Sequence, residues 1–341
     1  MSNSFIDPTA NDSFSKLRGL DLQELLAFLD TFLLEYRENL GLPNNLFFGI
    51  EIEYENFPQY DVDCYFKYTL SNLFMNTWEK YPWISKEDRS VPTGGEINSP
   101  ILVDTPNNWE QLRKVMKYLD KNNVDMMHGA SCHMHFAADY LGEDIEAWRL
   151  FAKMYSIYEP VLFRFFFGDM INAREKMQIY AYPSAYSREE IERINKIKEV
   201  YQLKYSFLND DKKMALNFRN VNFYEPDTFE KGNTIEDRSP NGTRNAIIIQ
   251  NNVNTFGKLL VTAVEKLIDE EFLDWKIEHE LYPYERYKAM YNEIVLKLAL
   301  EFADANFDNN LDKAYFLRQY LKGFEDNYNI SKPTMAKRFT K

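Results

Sequence analysis

Four short segments of the chain each place a carboxylate, an imidazole or a guanidinium group on a predicted β-strand, and in three of them such groups are two residues apart and share one face. They are residues 48–55, 94–100, 132–136 and 234–238. Groups of these types bind a divalent metal and a nucleotide triphosphate when they converge on one cavity. Each segment alone is weak evidence for chemistry, so the prediction depends on the four together.

The first segment carries three carboxylates. If residues 47–54 form a strand, Glu51, Glu53 and Glu55 share one face, while the apolar residues between them take the other. A buried face with three carboxylates needs a cation, because isolated buried charges are very costly. Arginine or lysine partners, or a solvated edge strand, would meet that need as well as Mg²⁺ or Mn²⁺ would.

The second and third segments add further ligand types. Glu96 follows Gly94 and Gly95, which allow close backbone approach. His133 and His135 belong to a chain with 4 histidines, and a strand would let both rings reach one cavity. Zinc hydrolases also use such a pair, so a zinc-dependent hydrolase remains open, although the sequence contains no HExxH motif.

The fourth segment pairs opposite charges. A neutralising ion pair between Glu236 and Arg238 is one interpretation. The other gives Glu236 to a metal and Arg238 to a phosphate or a developing oxyanion, because the guanidinium presents a rigid fork of donors. The turn at residues 241–243 would then present Arg244 as a second anion-binding group.

Other catalytic patterns are absent from the sequence. It has neither a GxxxxGK[ST] loop nor a GxGxxG motif, so nucleotide binding would depend on metal. Ser99 lacks the context of a nucleophile elbow, and Cys64 lies in a predicted amphipathic helix, where a buried structural thiol is expected. Covalent catalysis is therefore not indicated.

Composition limits the partners. The chain has 341 residues, 45% of them hydrophobic, enough for a sizeable core in one large domain or two ordinary ones. A formal net charge of -13 argues against nucleic acid as the main partner. The two cysteines are far apart in sequence, the start of the chain lacks the pattern of a secretory signal, and no apolar window has the length of a bilayer. These features predict a cytoplasmic protein with no membrane partner. Oligomeric state stays open.

Hydrophobic periodicity predicts an α+β fold, with one mixed sheet and helices packed on its back. Helices are predicted at residues 20–40, 61–81, 107–122, 145–167 and 188–208, and throughout the chain after residue 245. Strands are predicted at residues 47–54, 96–103, 131–137, 214–223 and 233–238. We expect an N-terminal helical segment over 1–45, a catalytic sheet domain over 46–245, and C-terminal helices over 246–341 packed on the same domain.

Taken together, the segments resemble the amidoligases of the glutamine synthetase and glutamate-cysteine ligase superfamily of carboxylate–amine ligases. The resemblance runs from about residue 47 to residue 243. It includes the Glu-x-Glu strand, Gly-Gly-Glu-x-x-Ser-Pro, the His-x-His strand, residues 215–217 and Thr-Ile-Glu-x-Arg. It implies the superfamily's curved, mainly antiparallel sheet, with a polar concave face as the active site.

The resemblance also implies roles for residues. The implied metal ligands are Glu51, Glu53, Glu96, His133 and Glu236. Arg238 would contact the transferring phosphoryl group or the substrate, with Arg219 and Arg244 as helpers and Asn217 at the nucleotide. His135 and Ser99 would belong to the substrate side. Two departures affect local geometry: Asp237 stands where such proteins have an apolar residue, and Arg89 where they have a glycine.

The chemistry implied is ATP-dependent, with Mg²⁺ or Mn²⁺. ATP would phosphorylate the carboxylate of a small molecule or peptide, and an amine would attack the acyl phosphate to form an amide. Two alternatives keep the same scaffold. One is an ATP-dependent phosphotransferase without ligation, which would not depend on an amine, and the other is a noncatalytic binding module.

Overall fold

Six antiparallel strands form one open sheet in the computed structural model, which describes residues 34–73, 82–126, 130–167, 181–205, 213–223, 233–281 and 293–321, together with residues 24, 27 and 29. The strands are β1 (Phe48–Tyr54), β2 (Ile84–Lys86), β3 (Gly95–Asn98), β4 (Cys132–Ala137), β5 (Leu216–Asn217) and β6 (Thr234–Asp237). Their spatial order is β2-β3-β1-β4-β6-β5, with every pair antiparallel. The two ends of the sheet do not meet, so it is not a barrel. The α+β class is confirmed, but the prediction of a mixed sheet is wrong, because every strand pair is antiparallel.

Strand register brings the polar residues of the four segments to one face. Glu51 lies between Asn98 of β3 and His133 of β4. On one side of Glu51 along β1, Glu53 pairs with Glu96. On the other side, Gly49 pairs with His135, which in turn pairs with Glu236. Four strands, taken from widely separated parts of the sequence, therefore supply neighbouring side chains.

Eight α-helices accompany the sheet in the described part of the chain. They are α1 (Gln59–Tyr65), which continues through a π-helical stretch at Phe66–Leu70 to Ser71–Leu73, α2 (Pro106–Lys121), α3 (Ile145–Phe167), α4 (Arg188–Asn195), α5 (Ala246–Val264), α6 (Glu270–His279), α7 (Glu293–Asn306) and α8 (Asn310–Tyr320). Short 3₁₀ helices occupy Ala138–Tyr140 and Val200–Tyr205. Within the same residues, no helix is both long and apolar enough to cross a membrane.

The other face of the sheet is apolar and covered by helices. Alternation along β1 and β4 buries side chains such as Ile50, Ile52 and Met134. Aromatic rings join this face to two helices: Phe48 stacks on Trp109 of α2 with centroids 5.4 Å apart, and Phe136 on Phe256 of α5 at 5.0 Å. The predicted packing of helices behind the sheet is confirmed.

The central helix α5 carries buried amides as well as apolar residues. Asn251 Nδ2 donates to the carbonyl of Tyr315 and to Gln319 Oε1, and Gln319 Nε2 donates to Asn252 Oδ1. Asn254 Nδ2 donates to Asp312 Oδ1. Because buried amides need partners, these bonds fix the alignment of α5 against α8.

The helix predicted over residues 20–40 is wrong at its C-terminal end. Backbone at residues 24, 27 and 29 is helical, but residues 34–40 are not. Their amide hydrogens are used elsewhere: Arg37 N donates to Gln250 Oε1, and the amides of Leu40 and Leu42 donate to the buried carboxylate of Asp104. These tertiary bonds replace the i to i−4 pattern. Residues 20–23, 25, 26, 28 and 30–33 of the predicted helix lie outside the described residues.

Three other predicted elements are shorter in the structure. The strand predicted over 96–103 ends at Asn98, and Pro100 lacks the amide that a ladder requires. The helix predicted over 188–208 ends at Asn195, and Gln202 Oε1 accepts from the amides of residues 198 and 199 instead. Of the strand predicted over 214–223, only residues 216–217 pair with β6, because Asn217 Oδ1 accepts from Arg219 N and turns the chain. Residues 74–81 and 206–208 of the predicted helices lie outside the described part.

Candidate metal and active site

Two groups of potential metal ligands lie on the polar face of the sheet. We name them the histidine cluster, formed by Glu51, His135 and Glu236, and the carboxylate cluster, formed by Glu53, Asp88 and Glu96. In each group the ligand atoms lie within 4.8 Å of one another. Residues 51 and 53 are two apart on β1, so the central strand joins the two clusters.

The histidine cluster surrounds two carboxylate oxygens with imidazole nitrogens. Glu51 Oε2 lies 3.5 Å from His133 Nδ1 and 3.4 Å from His135 Nε2. Glu236 Oε1 lies 3.6 Å and 4.0 Å from the same two nitrogens. His135 Nε2 is buried and makes no hydrogen bond within the described residues. Among these four contacts the hydrogen bond between His133 Nδ1 and Glu51 Oε2 is long, so the polar atoms are close together but weakly paired.

The hydrogen-bond roles of the two His133 ring nitrogens follow from the Ser131 hydroxyl, which has a single proton to donate. Ser131 donates to Glu53 Oε2 through both its amide and its hydroxyl, because an ionised carboxylate only accepts. The Ser131 hydroxyl is therefore the acceptor from His133 Nε2, 2.7 Å away. This leaves His133 Nδ1 facing Glu51 and Glu236. A lone pair there would repel two carboxylates, so the arrangement needs a cation or a second ring proton.

The carboxylate cluster has one lysine beside it. Lys86 Nζ lies 2.8 Å from Glu96 Oε1, across the β2–β3 pair. Asp88 reaches the cluster from the loop after β2, and its Oδ1 accepts from Ser90 N at 2.7 Å. One lysine faces three carboxylates, so this cluster retains negative charge.

Burial and mutual charge shift the acidities in both clusters. Burial opposes ionisation of Glu51, but the close imidazole rings of His133 and His135 hold its pKa well below the ordinary range. Burial acts against protonation of His135 as well, yet Glu51 and Glu236 raise its pKa overall. Burial and the charge of Glu51 raise the pKa of Glu96, although Lys86 opposes the shift. The site therefore favours a bound positive charge.

These residues fit divalent metal ions. The five carboxylates of the two clusters supply the oxygen ligands that Mg²⁺ and Mn²⁺ prefer, and imidazole adds a nitrogen. Ligands held at about 2.1 Å in octahedral geometry are roughly 3 Å apart, close to the 3.4 Å between His135 Nε2 and Glu51 Oε2. The unpartnered His135 nitrogen and the orientation of His133 agree with that fit.

Of the other predicted site residues, Arg238 and Asn217 lie beside Glu236, whereas Ser99 is hydrogen-bonded to the backbone. Arg238 Nη1 lies 2.5 Å from Glu236 Oε1, and Asn217 is buried beside Glu236 in the ladder. Ser99 Oγ accepts from Ile50 N and donates to the carbonyl of Pro100, so its hydroxyl is occupied by backbone.

The two helper arginines lie elsewhere. Arg219 is exposed on the turn after β5. Arg244 Nε lies 3.8 Å from Asp120 Oδ1 of α2 and lines a separate cavity of about 430 Å³ with Arg113 and Lys117. Neither belongs to the two clusters.

One member of the two clusters was missed from the sequence. Asp88 was assigned no role, although it lies eight residues before Glu96 and directly before the unusual Arg89. A carboxylate this close to the Gly-Gly-Glu segment was the signal that could have identified it. His135, predicted on the substrate side, lies in the histidine cluster. Glu55 was grouped with Glu51 and Glu53, but it belongs to neither cluster.

Asp237 lies on the opposite face from Glu236 and is fully buried. Burial, with smaller contributions from the charges of Glu236 and Glu159, raises its pKa from 3.8 to about 7, although Ser239 N donates to its Oδ1. The native carboxyl therefore keeps its proton over a pH range in which the unfolded chain has lost it. Stability from this group falls as pH rises from about 4 to about 7, by roughly 4 kcal/mol in total.

We accordingly expect Asp237→Asn to raise the free energy of unfolding at pH 8 and to change it little at pH 4.5, because the amide has no proton to lose. The measurement is urea unfolding at both pH values with EDTA present, so that bound metal does not contribute. Parallel pH profiles for the two proteins would contradict the expectation.

Comparison with known proteins adds no family assignment. The chain matches no protein-family model, and it matches no curated protein in sequence.

Proposed function

We propose that the protein is an ATP-dependent carboxylate–amine ligase that uses Mg²⁺ or Mn²⁺. The observation that carries the proposal is the meeting of two ligand clusters on one sheet face, joined through Glu51 and Glu53, with Arg238 beside the histidine cluster. A nucleoside triphosphate with its metals needs such a combination of carboxylates, imidazole and arginine. We also propose that this sheet is the catalytic sheet of the glutamine synthetase-like fold.

The clusters would hold the metals as two separate groups. Glu51, Glu236 and the two histidines would form one site, and Glu53, Asp88 and Glu96 the other. When bound, the metals would neutralise charge across the triphosphate. Lys86 would keep Glu96 paired until then.

Arg238 would act on the transferred phosphoryl group. Its guanidinium is held by Glu236, which is itself fixed between β4 and β5 by the ladder. This positioning suits a planar donor that stabilises negative charge as it develops on phosphoryl oxygens. The sheet thus places the donor and the proposed metal sites in neighbouring positions.

The reaction proposed has two balanced steps. A carboxylate oxygen of the substrate forms a bond to the γ-phosphorus while the bond from that phosphorus to the β–γ bridging oxygen breaks, giving an acyl phosphate and ADP. The amine nitrogen then attacks the acyl carbon and loses a proton, and inorganic phosphate leaves with the original carboxylate oxygen. The products are an amide, ADP and phosphate.

Oxygen labelling and hydroxylamine trapping test this reaction. The purified protein would be incubated with magnesium-ATP and a panel of amino acids and dipeptides labelled with ¹⁸O in their carboxylates, with hydroxylamine as a small amine. A ligase gives hydroxamate, ADP and ¹⁸O-labelled phosphate, all dependent on one member of the panel.

The same experiment separates the alternatives. ADP release that needs an acceptor but not an amine, without labelled phosphate, would assign a phosphotransferase instead. Absence of ADP release with every panel member, together with no ATP binding by calorimetry, would reject catalysis on this scaffold in favour of a binding module.

A further inference from the structure

A cavity of about 680 Å³ opens beside the histidine cluster. Glu51, His135 and Asn98 form its inner end. From there it runs towards the start of β1 and the end of β4, where Phe47 and Ala137 line it. The carboxylate cluster lies in the other direction along β1, because Glu53 follows Glu51.

Apart from the imidazole of His135, the ionisable side chains that line this cavity are carboxylates. Its described lining residues include the carboxylates of Glu51 and Asp139 but no lysine or arginine. The cations of the site lie elsewhere: Lys86 pairs with Glu96 beside Glu53, and Arg238 follows Glu236 on the side of His133. In its described lining the cavity therefore offers no guanidinium or ammonium partner to a substrate carboxylate, whereas its acceptor atoms can bind an amine.

The inner end also offers a hydrogen-bond acceptor. Asn98 Nδ2 donates to Glu51 Oε1 at 2.9 Å, which fixes the orientation of the amide. Asn98 Oδ1 is then the acceptor, and it is buried without a hydrogen-bond partner among the described residues. An amine N–H group satisfies such an atom.

A glycine forms part of the floor. Gly49 lies inside strand β1 with an ordinary backbone, and a Cβ built on it would come no closer than 3.8 Å to Ser99 Oγ and 4.0 Å to His135 Cβ. Packing therefore does not require glycine at this position. Glycine within a strand often marks a place where a ligand approaches the backbone closely.

The outer end of the cavity has an apolar wall. Phe47 and Ile101 line it together with Pro100, and they are 45% and 64% exposed. Large exposed apolar side chains beside a polar pocket are typical of surfaces that bind the apolar part of a ligand. The cavity thus combines acceptors near the cluster with an apolar wall further out.

We infer that this cavity binds the amine substrate, and that the substrate is a primary amine with an apolar body and no carboxylate of its own. The inference rests on the proposed ligase function for its chemical role, but binding by the cavity can be measured separately. Its amino group would lie near Asn98, and its apolar body near Phe47 and Ile101.

Phenethylamine and phenylalanine form a matched pair of probes, because they differ only by the carboxylate. Calorimetry with magnesium present should show phenethylamine binding to the wild-type protein at least about tenfold more tightly than phenylalanine. Equal or tighter binding of phenylalanine, or no detectable binding of phenethylamine, would overturn the inference.

Two variants locate the binding. Gly49→Leu should weaken phenethylamine binding at least about tenfold by filling the floor, and Ile101→Ala should weaken it through loss of the apolar wall. Ile101 is exposed, so its replacement leaves the fold intact. Unchanged affinity in both variants would place the amine elsewhere.

A kinetic comparison separates this inference from the proposed function. If hydroxylamine gives hydroxamate, kcat/KM for phenethylamine should fall more in Gly49→Leu than kcat/KM for hydroxylamine. An equal fall for both amines would overturn the assignment of the cavity. If wild-type protein makes no hydroxamate while calorimetry still shows selective phenethylamine binding, the ligase proposal fails and the amine site stands.

Discussion

Replacing Glu51 with glutamine is expected to lower metal-dependent ADP release at least about a hundredfold, equal to about 2.7 kcal/mol in transition-state stabilisation. Glu51 Oε2 is the carboxylate oxygen within 3.5 Å of both His133 and His135. An amide is almost the same size but carries no charge, so it is a far poorer ligand for Mg²⁺. The change should therefore affect turnover much more than folding.

Glu55→Gln is the matched control, because it makes the same chemical change directly after the same strand and outside both clusters. Initial rates of ADP release at several Mg²⁺ concentrations, with the melting temperature of each protein, would be compared. The site assignment would be rejected if Glu51→Gln kept wild-type rates, or if Glu55→Gln lost activity to the same extent while remaining folded.

Gly94→Ala should destabilise the protein by about 3 kcal/mol or more. A Cβ on Gly94 would lie 1.9 Å from the carbonyl oxygen of Tyr54, 2.7 Å from its carbonyl carbon and 2.9 Å from Glu55 Cα. All three are backbone atoms at the end of β1, so no rotation of a side chain can relieve the clash. Either β1 or the start of β3 must move, and β3 carries Glu96.

Gly49→Ala provides the comparison for Gly94→Ala, since it adds the same methyl group to a glycine of the same sheet with no atom closer than 3.8 Å. Urea unfolding gives the free energies of the three proteins. We expect wild type and Gly49→Ala to unfold at similar urea concentrations and Gly94→Ala to unfold much earlier or to be insoluble. A wild-type midpoint for Gly94→Ala would contradict the close approach of the two strands.

Much of the fold was predictable because its polar and apolar residues follow simple periods. Alternation in the Glu-x-Glu and His-x-His segments identified β1 and β4, and the long apolar stripe of α2 identified that helix. The ends of elements were less predictable. Residues 34–40 have a helical pattern, yet the amide of Arg37 donates to Gln250, and Asp104, more than sixty residues away, accepts from the amides of Leu40 and Leu42. Periodicity carries no information about such a distant partner.

The site was predictable as a set of residues but not as an arrangement. The i, i+2 spacing placed Glu51 and Glu53, or His133 and His135, on one face. Which of them share a cluster depends on the register between strands, and register follows from contacts across the whole sheet. Asp88 was missed for a related reason: it lies on a loop, where no period shows that its side chain reaches Glu96.

The side-chain hydrogen bonds between α5 and α8 connect a distant part of the chain to the histidine cluster. A shift of α8 by one turn would leave the buried side chains of Asn251 and Asn254 without these hydrogen-bond partners, so the bonds favour a single alignment of the two helices. Helix α5 in turn packs Phe256 against Phe136, the neighbour of His135 on β4. The last described helix contributes no proposed ligand, yet by fixing the position of α5 it helps to position the histidine cluster. A substitution in α8 that breaks these hydrogen bonds would therefore displace ligands more than a hundred residues earlier in the sequence.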